Sequence, residues 1–514
     1  MLLGSKTQEI HGGGTITIRI TKESLLIAIP FMVFIALSAY MLASSPHAVY
    51  DFPVDDAWIH RVYARSLAMG DGFSYNPGIG ETGATSPLWV ILTAPAHWAE
   101  SYLNIPIAVA VKSIGGLLGL LAIWCVINIG KYFQLPTVSI AILGSLWAME
   151  PRLLFSCYSG MEVILLTLFL LMLIIFHLNE RKLLFSITMS ILPLIRPEAL
   201  LLIPIYASYD FFIRAEKNIY KIYLWIILTA LPFGLWLLGC KVINDAYLPL
   251  TFKMKLGSLD VSAKQLATFF ETLFFDSLFI PLGFLIGITI LAFNQKSQSR
   301  DTQLQWVWNL IVMPTILFIA TLVTRKVSTA GYFWLRFIEP FALILSVPAI
   351  IGIVTAFSRF NKRDRSYQRP LQIAAILALV VSATPYYQAL QNKRFHLWSD
   401  AMNINIMNVK VGQWLNKNTP EDAVIGVNDA GAIRYFSERT VIDLLGLNSS
   451  AVAISKIPRE ELWNAADWLA LYPSWFKSQD FKMVKPRKFF EVPQDEYSIC
   501  PCPTQTKIGI FEKF

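Results

Sequence analysis

The stretch "VDDAWIHRVYARSLAMGDGFSYNPG", Val54–Gly78, decides how the rest of this chain reads. It sets two neighbouring carboxylates, Asp55 and Asp56, ahead of Arg61 and Arg65, just beyond the first strongly apolar segment. Pro53 precedes the pair and no Gly or Pro follows until Gly70, so the stretch predicts a helix starting near Asp55. Arg61 and Arg65 would share one face of it, at i and i+4. "GDGFSYNPGIGETG" then reads as consecutive turns. The plain explanation of an acidic pair at a helix start is capping, with the second carboxylate favoured by the positive end of the helix dipole. Both cannot cap one position, so one is left for other work. The arginines have an equally plain reading as solvated or headgroup-facing side chains.

The surroundings make the plain reading incomplete. Of 514 residues, 55% are hydrophobic and 15% charged, against about a quarter charged in soluble domains. Apolar runs recur at roughly 24–44, 105–129, 136–154, 160–178, 183–195, 198–213, 219–240, 276–293, 303–323, 335–358 and 370–389. Most are of bilayer-spanning length, which predicts a polytopic membrane protein of about eleven spans. The run at 87–99 is too short to cross and contains Pro95. The first run, 24–44, is too long for a cleaved signal and reads as an uncleaved span. Cys125, Cys157 and Cys240 fall in or beside apolar runs and read as small core hydrophobes, while Cys500 and Cys502 lack the second pair a zinc site needs.

Net charge is +8, and in such a chain it reflects loops on the cytoplasmic side rather than nucleic acid. Lys6, Arg19 and Lys22, then Lys131, Arg181 and Lys182, Arg214, Lys217 and Lys221, Lys296 and Arg300, and the cluster 358–369 fall in every second loop. The N-terminus is then inside, and Val54–Gly78 and the C-terminus are outside. Further charge sits on that outer side, at Arg152, Arg196 and Glu198, and around Arg325 and Lys326. Ionisable groups near membrane depth are costly and usually paired or functional. Beyond about residue 400 the pattern changes to short β-branched runs such as "AVIGV" and "TVIDLLG" between helical stretches, predicting a small external α/β domain. No phosphate-binding loop or dinucleotide glycine fingerprint is present, against a nucleotide-fuelled transporter.

A carboxylate at this surface suits a general base acting on an incoming hydroxyl, and nearby arginines suit a lipid-linked phosphate. Here the residues resemble a known group. "VDDAWIHRVYARSLAMGDGFSYNPG…ETGATSPLW" is similar to the first-loop signature of bacterial GT-C membrane glycosyltransferases, in particular the group that includes the mycobacterial terminal arabinofuranosyltransferase. "YSGMEVILLTLFLL" (158–171), "LIRPEALLL" (194–202), "DAYLPLTFKMKLG" (245–257), "LRFIEPFALIL" (335–345) and 411–447 resemble further elements of that group in the same order. Departures occur at Trp58, His60, Gly83-Ala84, Val163 and Leu250, so the arabinose specificity is not carried over.

The resemblance implies a mainly α fold, with a GT-C bundle over 1–390, a first periplasmic loop over 45–104 and a periplasmic α/β domain over 391–514. It implies a multi-pass protein of the bacterial inner membrane with a cytoplasmic N-terminus. The donor would be a sugar on polyprenyl phosphate, the acceptor an envelope glycan or glycolipid, and the stereochemistry inverting. By position in the motif the base falls on Asp55, with Asp56 second. Arg61, Arg65, Arg196, Lys253, Arg336, Glu81, Glu162 and Glu198 are the candidates for holding donor or substrate. Each has a structural alternative: an ion pair fixing the turn for Arg196 and Glu198, dipole compensation for Glu162, an interfacial helix for Lys253, snorkelling for Arg336. Some members of the wider superfamily use a divalent metal ion on first-loop carboxylates and others need none, and the sequence leaves that open. His60, His97 and His396 show no ligand spacing, and Asp429 in "VNDAGA" reads as a turn residue. The rival reading is a non-enzymatic lipid-linked-sugar transporter or envelope assembly factor. It would place charge along a mid-membrane path, whereas here charge gathers on one side.

Overall fold

The computed structural model describes residues 21–214, 216, 218–255, 300–324, 336–358, 365–476, 481, 484–499 and 505–513. The run 276–293, Arg325, Lys326, Cys500, Cys502 and the side chain of Lys253 lie outside the described residues.

Helix α1 (Lys22–Leu42) opens on a reciprocal cap: Ser24 N donates to the Thr21 hydroxyl, and Thr21 N donates to the Ser24 hydroxyl. The short α2 (Pro46–Tyr50) leads to α3 (Asp55–Met69), which stops at Gly70 in the left-handed conformation. The run 87–99 forms α4 (Pro87–Thr93) and α5 (Pro95–Leu103), neither long enough to span. After the long α6 (Ile107–Tyr132), the expected span 136–154 proves to be broken. Its halves, α7 (Thr137–Ala148) and α8 (Pro151–Tyr158), meet at 58°. Pro151 has no N–H, so it can start a helix but not continue one.

Next come α9 (Val163–Leu178) and α10 (Lys182–Ile195), of 16 and 14 residues. The run 198–213 divides into a 3-10 turn, Pro197–Leu201, and α11 (Leu202–Phe212). The long α12 (Ile219–Asn244) and short α13 (Leu250–Lys255) follow. Among the described residues, six helices are long and apolar enough to cross a membrane, seven if the bent pair α7–α8 is one span. Among the shorter runs, α9 is the one most enclosed by protein. Most of α9 is buried against α6, α10 and the helix Glu339–Ser358, so those neighbours set its length rather than the bilayer. Cys125, Cys157 and Cys240 are buried free thiols, as their apolar settings predict.

The run 370–389 belongs to a 40-residue helix, Arg365–Ile404, that continues well past its apolar part. The extension is anchored by Lys393, which donates to Glu339 at 2.8 Å, and by Arg394, which donates to the Tyr40 carbonyl at 3.1 Å. The α/β domain then builds one five-stranded sheet in the order β4-β3-β5-β7-β6. Its strands are β3 (Val424–Val427), β4 (Thr440–Asp443), β5 (Trp468–Leu471), β6 (Val484–Glu491) and β7 (Lys507–Lys513). Strand β3 lies parallel to β4 and β5, while β7 is antiparallel to β5 and β6. "AVIGV" and "TVIDLLG" are the parallel pair at one side.

This domain is welded to the segment that contains α3 and the turns after it. A two-stranded ribbon, β1 (Ser74–Asn76) and β2 (Ile79–Gly80), follows α3. Asn76 there acts as a side-chain strand. It donates to the Val441 carbonyl at 2.9 Å and accepts from Val441 N at 2.9 Å and from Arg434 Nε at 3.2 Å. Trp58 of α3 packs its ring on Tyr435 and Phe436, at 5.0 and 4.8 Å between centroids.

Replacing Asn76 with Ala strands a buried donor and acceptor pair on β4, at about 1–3 kcal/mol for each group left unsatisfied. The Asn76→Ala protein should melt several degrees lower and expose the junction near Val441 to protease. Unchanged melting would remove Asn76 as the weld.

Candidate active site

Successive side chains on a helix point about 100° apart, and α3 separates its two carboxylates by that angle. The N-cap of α3 is Val54, with no side-chain bond, so neither Asp55 nor Asp56 caps this helix. Both lie in its first turn, where the helix dipole favours them. Asp55 caps a different helix. Its carboxylate accepts from Gly431 N at 2.7 Å, Ala432 N at 2.8 Å and Asn408 Nδ2 at 3.3 Å, closing the start of the helix Ala432–Ser437. Gly431 is required for this approach, because a Cβ there would stand 2.2 Å from the Asp55 carbonyl oxygen.

A second carboxyl stands beside Asp55. Asn408 Nδ2 also donates to Asp429 Oδ2 at 2.6 Å. Burial, then the neighbouring Asp429 charge, raises the Asp55 pKa well above the usual carboxylate range, and burial raises Asp429 as well. Two carboxyls in contact away from water cannot both ionise cheaply, so the contact pushes Asp55 towards its protonated form.

Asp56 faces the other way, into a cavity lined also by Glu162, Arg196, Glu198, Arg336 and Phe337. Arg336 Nη2 meets Asp56 Oδ2 at 2.5 Å, and Arg196 Nε meets Glu162 Oε1 at 2.8 Å. Arg196 also donates to the Phe337 carbonyl at 3.4 Å, and both guanidinium groups lie over the Phe337 ring, at 4.8 and 5.2 Å. Three interruptions of the chain converge here. Gly160, at φ +78°, turns the chain between α8 and α9 and presents Glu162 at the head of α9. Pro197 ends α10 directly after Arg196. Arg336 lies just before the helix that starts at Glu339. His60, four residues beyond Asp56 and so on the same face, brings Nε2 to 3.7 Å from Glu162 Oε2. Burial pushes its pKa down to about 4, with Glu162 opposing, so the ring is neutral near pH 7.

Three expected binding residues stand elsewhere. Arg61 and Arg65 lie on the far side of α3 from Asp56. Arg61 is fully buried and donates to Thr93 at 2.6 Å. Arg65 donates to the Tyr435 carbonyl at 3.0 Å and stacks over its ring at 4.3 Å. Glu81 accepts from the backbone and hydroxyl of Ser450, at 3.1 and 2.9 Å, as a tie to the α/β domain. Arg196, Arg336, Glu162 and Glu198 do meet around Asp56. His60 had a signal in its i+4 spacing from Asp56. Asn408 and Asp429 had none, lying more than 350 residues from Asp55 along the chain. Among the described residues no three His, Cys, Asp or Glu side chains converge as a metal site. The cavity carboxylates Asp56 and Glu162 are each paired with an arginine, so these two do not fit a divalent ion.

Two solved structures share this arrangement of the chain. One is ArnT from Cupriavidus metallidurans bound to undecaprenyl phosphate, at 13% identity and TM-score 0.56, covering 95% of this chain and 97% of that one. The other is the same protein in the apo state, at 13% identity and TM-score 0.53 with the same coverage. The fold is therefore a GT-C fold of the ArnT kind, mainly α with a small sheet domain at its C-terminal end. The narrower likeness to the arabinofuranosyltransferase group finds no support in these comparisons. Residues 396–504 match a family described as a domain of unknown function, DUF8728. No curated protein matches the chain.

The raised Asp55 carboxyl gives the junction a pH dependence with a definite sign. A carboxyl whose folded pKa is raised stabilises the folded state below its unfolded value, about 4, and that stability is lost as pH rises through the raised folded value. Melting temperature should therefore fall as pH climbs through that window, and Asp429→Asn should flatten the slope. A profile unchanged by Asp429→Asn would show that Asp429 does not push Asp55 towards its protonated form.

Proposed function

We propose that this protein is an integral-membrane glycosyltransferase that moves a sugar from a polyprenyl-phosphate donor to a hydroxyl of an envelope glycan or glycolipid. The observation that carries this reading is the meeting of Asp56 with Arg336, Arg196, Glu162 and Glu198 at a cluster of helix ends in a GT-C fold. ArnT from Cupriavidus metallidurans, which shares that fold, has been solved with a polyprenyl phosphate, undecaprenyl phosphate, bound to it.

The chemistry follows from the pairing. The cavity holds about 20 Å³, room for roughly one water. A sugar phosphate therefore enters only by exchanging protein ion pairs for its own. Arg336 and Arg196 take the donor phosphate, for which a planar guanidinium is well matched. Drawing Arg336 towards phosphate leaves Asp56 with less positive charge beside it and makes it a stronger base. Asp56 then accepts the proton of the acceptor hydroxyl. The hydroxyl oxygen bonds to the anomeric carbon from the face opposite the phosphate. The bond from that carbon to the phosphate oxygen breaks, and its electron pair leaves on polyprenyl phosphate, with inversion at the carbon. Glu162 and neutral His60 hold Arg196 in place.

In this mechanism Asp56 is the base and Asp55, committed to Gly431 and Ala432, positions it. That reverses the order suggested by the motif. Membrane embedding, a cytoplasmic N-terminus and a periplasmic cavity and C-terminal domain complete the reading. The gathering of charge at helix ends, in two separate cavities, favours a surface reaction over transport along a mid-membrane path.

Removing a general base typically costs about 10²–10⁴ in rate. Asp56→Asn should lose transfer on that scale while eluting as a folded monodisperse protein. Asp55→Asn should lower the melting temperature and keep measurable transfer. Full activity in Asp56→Asn would end its assignment as base. For topology, reporter fusions at 360–366 should register the cytoplasm and fusions at 500 the periplasm, and the reverse result would place the cavity on the wrong side.

A further inference from the structure

A second cavity lies at the opposite end of α9 from Glu162. The helix carries 16 residues, so the two sites are separated by about 24 Å of helical rise. This cavity encloses about 480 Å³, where the α9–α10 and α11–α12 turns come together. Its polar lining holds three cations, Lys182, Arg214 and Lys221, and three carboxylates, Glu180, Asp210 and Glu216. Phe176, Phe185, Ile222 and Trp225 give the remainder an apolar wall, with Trp225 stacked on Phe185 at 6.1 Å and 8°. His177, only 5% exposed, forms the floor and is held by Asn309.

The charges are arranged loosely. Lys221 pairs with Glu216 at 2.5 Å, but Arg214 stays 3.6 Å from Asp210 and 3.9 Å from Glu180, beyond hydrogen-bond reach. Lys182 acts on Asp210 and Glu216 through space. Among the described residues the lining presents both signs side by side rather than one alone. It suits a ligand that brings both signs at once.

We propose that this cavity binds a phospholipid whose headgroup carries a phosphate and a primary ammonium. The phosphate sets against Lys182 and Arg214, and the ammonium donates to Asp210 and Glu216. An acyl chain runs along Phe185 and Trp225. The ligand is a lipid rather than a soluble headgroup because the apolar wall continues onto α12, whose surface is largely exposed apolar side chain. This site faces the leaflet opposite the one proposed for sugar transfer, so the protein reads the lipid composition of one side while working on the other.

The test uses the full-length protein, delipidated in detergent and offered phosphatidylethanolamine, phosphatidylglycerol or phosphatidylcholine at equal concentration, with bound lipid counted by native mass spectrometry. Phosphatidylethanolamine should be retained about tenfold better than either of the others. The Asp210→Asn/Glu216→Gln double variant should lose that preference while eluting as a folded monodisperse protein. Equal or better retention of phosphatidylglycerol overturns the two-signed headgroup. Phosphatidylcholine binding as well as phosphatidylethanolamine removes the donated ammonium bonds. Competition by glycerophosphoethanolamine as strong as by the lipid overturns the acyl contact. Undiminished preference in the double variant moves the site elsewhere.

Discussion

A carboxylate buried between two parts of a chain must find donors or become a liability. Asp55 finds them in two backbone N–H groups at the start of the helix Ala432–Ser437, and much of the architecture depends on that contact. It fixes the rotation of α3 about its own axis. Once Asp55 is directed at Gly431, the geometry of a helix aims Asp56 and His60 at Glu162 and Arg336, and turns Arg61 and Arg65 away. The hydrogen bonds of Asn76 to β4 and of Glu81 to Ser450 lock the same orientation from further along the loop.

The charged cavity is a consequence of helices that stop early. The start of α9 and the end of α10 are buried in protein, so Glu162 and Arg196 can meet well inside the fold. Isolated, each of these charges would be expensive; paired through close contacts they become exchangeable partners. A phosphate that offers Arg196 and Arg336 better acceptors than carboxylates do can open the cavity by substitution. Rigid neighbours around Gly160 and Pro197 keep the arginines in reach while it does so.

Much of this was legible in the chain. The apolar runs, the change to short β-branched strands after about residue 400, and the weak 87–99 segment all follow from local composition, and local composition is what sets helix length and strand type. Arg196, Glu198 and Glu162 stood out because a charge at an apolar helix end needs a partner. Other features were masked or out of reach. The break at Pro151 had a local signal in the proline, hidden by the apolar run around it. The choice between Asp55 and Asp56 depends on Gly431, which is remote in sequence and close in space. Arg61 and Arg65 looked like a phosphate clamp because their spacing was right, but spacing gives a shared face and not the direction in which that face looks.

The weld between the first loop and the last domain also orders the protein's own birth. Residues 52–82 emerge early, yet their partners at 408–450 are made after some 350 further residues. Contacts of such sequence separation form late and slowly. Until they form, α3 has nothing to fix its rotation, and Asp56 has no assured place opposite Arg336. A chain halted before residues 408–450 therefore carries an Asp56 whose direction is not yet fixed. Residues 408–450 must be made and packed before the direction of Asp56 is fixed.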